Sequence, residues 1–188
     1  MSVRFACSFA ACLLFAAPVS AETHLQAENL LILVPKGFTV GSRGTRPDLK
    51  LEVSEYVPTG ETVESWSKMI TQQTFFGRRN VDPDLLPASM RNGWKAACPG
   101  GDAQQIRKLQ ENGYAVSLWM FTCPLNPQTG KPENMWLKAI SGSDSLYDVQ
   151  VAFRAPLAKE MIPSAMNYLK SVMVCDTRDP THPCPAGM

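Results

Sequence analysis

The chain is poor in the residues that most hydrolytic and redox enzymes depend on. Its 188 residues include two histidines, His24 and His182, and contain no G-x-S-x-G, Walker, dinucleotide-binding or H-E-x-x-H motif. Nucleophile-elbow hydrolases, P-loop enzymes, nicotinamide-dependent enzymes and zincins therefore lack their defining residues. No charge sign dominates: 18 Lys and Arg stand against 17 Asp and Glu, for a net charge of +1. That balance gives no chain-wide pull towards nucleic acid or anionic lipid. No apolar run reaches the ~20 residues that cross a bilayer as a helix. None of the six cysteines forms a C-x-x-C pair, which argues against a thiol–disulfide oxidoreductase and against a zinc knuckle. Repeats, low-complexity tracts and long linkers are missing too, so the expectation is one domain.

What is present points first to a compartment. Arg4 precedes an apolar run from Phe5 to Ala17, followed by Pro18-Val19-Ser20-Ala21. The small residues stand where a signal peptidase cuts, so residues 1–21 read as a signal peptide removed on export. A lipoprotein cleavage at Cys12 would split the apolar run and is set aside. Loss of the leader removes Cys7 and Cys12 and leaves Cys98, Cys123, Cys175 and Cys184. An even number of cysteines in an oxidising compartment favours disulfides. Four cysteines allow three connectivities. The simplest pairs Cys175 with Cys184 across the short polar loop 176–183, and Cys98 with Cys123. The competing reading uses Cys175, His182 and Cys184, with Asp176 or Asp179, as metal ligands, but no second cysteine cluster completes a tetrahedral shell.

The apolar share of 45%, with 8 Phe, 4 Trp and 4 Tyr, is enough to build a core. Leu30–Val34 reads as a first strand buried on both faces, residues 41–48 as a loop, and Leu49 to Val57 as a half-buried second strand. Thr62 is a credible N-cap for a helix ending near Phe76, with Val63, Trp66, Met69, Ile70 and Gln73 on one stripe. A second helix is expected over 83–97, carrying Leu86, Met90 and Trp94, with Pro87 blurring its start. Asn112-Gly113 marks a hairpin between 103–110 and 114–123 whose second arm looks central. A turn-rich connection at 126–132 leads to a further hairpin, Met135–Ile140 and Leu146–Arg154. Strict alternation of Tyr147, Val149, Val151 and Phe153 with polar residues marks its second arm as an outer strand. Leu157 to Met173 has helical spacing around Pro163. The expected fold is α+β: a single domain over 22–174, an antiparallel sheet packed by helices, and a disulfide-closed tail over 175–188.

This order of elements, together with Pro35-Lys36-Gly37-Phe38, resembles the PsbP-like fold, whose bacterial members include DcrB-like envelope proteins. The resemblance spans about Glu28 to Cys175. The segment from Glu55 to Glu61, with Trp66 beyond it, also resembles small exported bacterial proteins of unknown role. The resemblance implies a PsbP-like sandwich and an envelope location, and supplies no catalytic residue.

Two segments carry candidate site residues. Glu52, Glu55, Glu61 and Glu64 would serve a carboxylate hydrolase only if they converged on one cleft. As strand and helix-start residues they read as solvated surface and helix-end charge. Phe75-Phe76-Gly77-Arg78-Arg79-Asn80 places two aromatics beside two guanidiniums, so Arg78 and Arg79 are the candidate ligand-binding residues, for an anion or an aromatic acid. The tryptophans are expected in the core. The functional expectation is an exported, non-catalytic binding or accessory protein of the bacterial cell envelope that needs no cofactor. Its partner would be an envelope protein or a small molecule rather than nucleic acid. The alternatives are a carboxylate hydrolase of the envelope and a metal-handling protein using the Cys175/His182/Cys184 tail.

Overall fold

The computed structural model describes residues 25–186, so the expected leader and His24 lie outside the described residues. Seven strands form one antiparallel sheet: β2 (Phe38–Arg46), β3 (Leu51–Pro58), β4 (Lys68–Phe76), β5 (Asp102–Glu111), β6 (Tyr114–Asn126), β7 (Lys131–Ser141) and β8 (Ser145–Phe153). Their order across the sheet is β2-β3-β4-β8-β7-β6-β5. A separate two-stranded sheet pairs β1 (Glu28–Leu31) with β9 (Met173–Asp176), near the two ends of the described chain. Among the described residues there are two α-helices, α1 (Leu85–Ala97) and α2 (Met161–Ser171).

This β-rich architecture corrects the expected helix-packed α+β sandwich. The stretch expected as a first helix, 62–76, is a loop followed by β4. Met69, Ile70 and Gln73 fit a helical stripe, but Met69, Thr71, Gln73 and Phe75 equally fit the period of two of a strand. Pairing on both sides, with β3 and with β8, decides for the strand. Residues 41–46, read as loop, belong to edge strand β2, which is bulged between Val40 and Ser42. Edge strands need no apolar alternation, so the hydrophobic pattern passed over this one. The strand read as outer, β8, is the middle of the seven, with every residue buried from Ser145 to Ala152. The closing helix is shorter than expected, because Met173 already belongs to β9.

Alternation along the strands sends one set of side chains to each face. Tyr56, Ile70, Val116, Trp136, Val149 and Val151 pack under Ala165 and Leu169 of α2. Trp119, Phe121, Met135, Leu137 and Ala152 pack on the other face, where Met90 and Trp94 of α1 cover them. Each fully buried side chain of this size contributes ~1.5–3 kcal/mol. Both helices carry proline in the first turn, Pro87 and Pro163, where its missing N–H costs no helical bond. Trp94 Nε1 donates to the Thr122 carbonyl at 2.9 Å. Beyond α1, the Cys98–Cys123 disulfide ties the chain to β6, its Cα atoms 5.7 Å apart. Buried Lys138 donates to the Leu169 and Val172 carbonyls at 3.0 and 2.7 Å and pairs with Glu111. A cation is thereby held against the negative end of α2.

Candidate functional site

Residues 77–84 leave β4 and pass beside the β7–β8 turn. Gly77 N–H donates to the Asp144 carbonyl at 3.1 Å and Asn80 N–H to the Gly142 carbonyl at 2.9 Å. The turn itself is gathered by Glu28 of β1, whose carboxylate accepts from the N–H groups of Ser143, Asp144 and Ser145 and from the Tyr147 hydroxyl. At the end of the crossing segment Asp84 does not cap α1 with its side chain. Its carboxylate instead accepts from Trp119 Nε1 at 3.0 Å, Gln105 Nε2 at 2.6 Å, Lys108 Nζ at 2.5 Å and the Ser117 hydroxyl. Partial burial opposes ionisation of Asp84, but the bonds from Lys108, Ser117, Trp119 and Gln105 outweigh it and hold the carboxyl below its usual range. In turn the Asp84 hydrogen bond raises the pKa of Lys108.

The facing wall is the β5–β6 hairpin, to which the disulfide-closed tail adds His182. Cys175 and Cys184 are bonded, their Cα atoms 4.9 Å apart, and both disulfides match the simplest pairing expected from the sequence. The tail docks on the β5–β6 turn: Asn112 Nδ2 donates to the Val174 and Pro183 carbonyls at 2.9 and 3.1 Å. His182 Nδ1 lies 2.8 Å from the Asn112 carbonyl, and its ring stacks on Tyr114 with centroids 3.9 Å apart. Arg178 bridges Asp176 and Asp144, each at 2.6 Å. Between the crossing segment and this wall lies a cleft of about 560 Å³, lined by residues that include Asp82, Lys108, Tyr114, Ser141, Ser143 and His182. Burial, followed by the charge of Glu28, pushes the Tyr114 hydroxyl far above its ordinary pKa, so it stays protonated; its oxygen is buried and has no hydrogen-bond partner among the described residues.

The cleft offers hydroxyls, an aspartate–lysine pair and an immobilised imidazole. Among the described residues no serine hydroxyl is hydrogen-bonded to a histidine, and Lys108 is neutralised by both Asp82 and Asp84. Such a lining suits hydrogen-bonded recognition of a small polar molecule. The tail offers no thiolate to a metal, because both sulfurs are in the bridge. Among the described residues no three His, Cys, Asp or Glu side chains gather in a metal-holding group.

The four expected carboxylates do not converge. Glu55 accepts from Ser42 Oγ at 2.7 Å, and Glu61 accepts from Ser67 N–H and Oγ at 2.6 and 2.7 Å. Glu52 lines a groove over β2 and β3 with Arg43 and Thr45, and Glu64 is exposed. Neither Glu61 nor Glu64 starts a helix; both sit in the β3–β4 loop. Arg78 and Arg79 are exposed, and Arg78 edges a small cavity beside Phe75. Trp66, Trp119 and Trp136 are buried, and the Arg154 guanidinium lies 3.9 Å over the Trp66 ring.

Sequence reasoning did not single out Asp84, Lys108, Glu28 or Asp148. Asp148 is one of the polar residues that alternate with Tyr147, Val149, Val151 and Phe153, a pattern that predicts a solvated face, yet it is 0% exposed. One oxygen accepts from Gln150 Nε2 at 2.5 Å and the other has no partner among the described residues. Burial pushes its carboxyl up to about 7. By register Asp148 shares a cross-strand row with Ala139, Ser117 and Lys108, the row that ends at the Asp84 hub. No protein-family model matches this chain and no curated protein matches it, so nothing in these comparisons identifies a PsbP-like fold.

Proposed function

We propose that the chain is an exported, non-catalytic binding or accessory protein of the bacterial cell envelope, holding a small polar ligand in the cleft between Asp82, Lys108 and the Cys175–Cys184 tail. The observation that carries this reading is the Asp84 hub. One carboxylate accepting four hydrogen bonds from two adjacent strands, β5 and β6, fixes the cleft wall in advance, which lowers the ordering cost of binding. Two disulfides agree with an oxidising compartment. Among the described residues no helix is long and apolar enough to cross a membrane.

The test is a panel of neutral and zwitterionic polar metabolites titrated into the purified protein, followed by heteronuclear NMR and by turnover assays. Saturable binding with shifts at Ser141, Ser143 and Gly113, weakened about tenfold or more in Lys108→Ala, is the expected result. Turnover of any panel member, abolished by changing one residue of the cleft, overturns it.

A further inference from the structure

On the other side of Val81 from the polar cleft, a second and different cavity opens, of about 220 Å³. Phe75, Val81, Leu85, Leu86 and Leu146 line it together with Arg78. Its floor is a cross-strand pair, Phe75 of β4 opposite Leu146 of β8. Its walls are Val81 of the crossing segment and the first two residues of α1. The fold leaves apolar surface open here: Leu85 is 63% exposed. Arg78 is exposed and, among the described residues, has no acidic side chain within ion-pair distance. Arg46 pairs with Asp48 and Arg178 with Asp144 and Asp176, whereas the other exposed arginines Arg43, Arg79, Arg91 and Arg107 have no ion pair among the described residues; what sets Arg78 apart is that it is the charged residue lining this apolar cavity.

We infer that this cavity binds a monocarboxylate with a compact hydrocarbon body, its acid group on the Arg78 guanidinium and its carbon skeleton against Phe75, Leu85, Leu86 and Leu146. A planar guanidinium matches a carboxylate with two parallel hydrogen bonds. Removing the hydrocarbon from water against the five apolar side chains adds to the affinity. The volume is below the ~300–1,000 Å³ of clefts that take drug-sized ligands, so a fused-ring acid or a fatty acid much longer than about eight carbons is excluded. The site is independent of the polar cleft, since Val81 is the one lining residue they share and the two linings differ in character.

The probes are phenylacetate and octanoate, with 2-phenylethanol as the uncharged counterpart, titrated into the intact disulfide-bonded protein by calorimetry and NMR. Both acids, or the one of better shape, bind saturably and shift Val81, Leu85, Leu86 and Leu146. The acid binds at least about tenfold tighter than the alcohol, and Arg78→Gln removes that preference while leaving the melting temperature unchanged, because the side chain is on the surface. Leu86→Trp fills the cavity and abolishes binding. The proposal falls if neither acid saturates, if the alcohol binds as well as its acid, or if Arg78→Gln binds the acid as the parent does. Failure of the polar-ligand reading leaves each of these outcomes readable, because the reporting residues differ.

Discussion

A carboxyl group enclosed in the middle of a sheet must hold its proton or find a cation, and Asp148 has no cation. The unfolded chain ionises this group near 3.8 and the folded chain near 7. Between those values the native state binds the extra proton, so this residue makes stability fall as pH rises through that window, with no further loss above it. About three pH units correspond to roughly 4 kcal/mol at pH 8. Asp148→Asn keeps the shape and removes the titration. Denaturant unfolding from pH 4.5 to 8.5 is expected to show the variant near parental stability at the acidic end and several kcal/mol more stable at the alkaline end. A constant difference across the range would refute the assignment. Nothing in the alternation Tyr147-Asp148-Val149-Gln150 announces this. A polar residue every second position reads as a wet face, and only the crossing of the sheet by residues 77–84 and α1 makes that face dry.

The β5–β6 turn shows what local sequence does specify. Asn112 and Gly113 both have positive φ, 48° and 80°, the arrangement that Asn-Gly adopts most readily. Gly113 is needed for a second reason, since a Cβ there would meet His182 Nδ1 at 2.5 Å. Gly130, at φ 65° with nothing within 4 Å of an added Cβ, has the first constraint alone. Gly130→Ala is therefore expected to lose about 1 kcal/mol of unfolding free energy, and Gly113→Ala about 2–4 kcal/mol with loss of hydrogen-exchange protection in the tail. Equal losses would mean that the tail yields without cost. The hairpins around 113 and 142, α1, and the cysteine pairing were all legible, because turn chemistry, helical spacing and short loops act locally. Lys68–Phe76 was not, since Met69, Ile70 and Gln73 satisfy both periods and only non-local pairing separates them. The site was hidden for the same cause: Asp84, Gln105, Lys108, Ser117 and Trp119 are ordinary surface-type or core residues until strand register joins them.

At the scale of the whole molecule the two bridges divide their work. Cys98–Cys123 closes 25 residues and Cys175–Cys184 closes 9, worth about 3.5 and about 2.5 kcal/mol by loop-closure entropy. Cys98, Cys123 and Cys175 are buried, whereas Cys184 is partly accessible. Mild dithiol reduction is thus expected to open the tail bridge first, seen as alkylation of Cys184 and Cys175 before Cys98 and Cys123 by mass spectrometry. The reverse order would place the weak point in the core. The β1–β9 ladder sets Glu28 directly opposite Asp176, while Glu28 gathers the Ser143–Ser145 turn and Arg178 holds Asp144. The polypeptide therefore enters and leaves the body at one pole, on the rim of the polar cleft. A tag joined next to β1 or β9 would therefore start on the same side of the molecule as the polar cleft, so affinities are best compared with and without it.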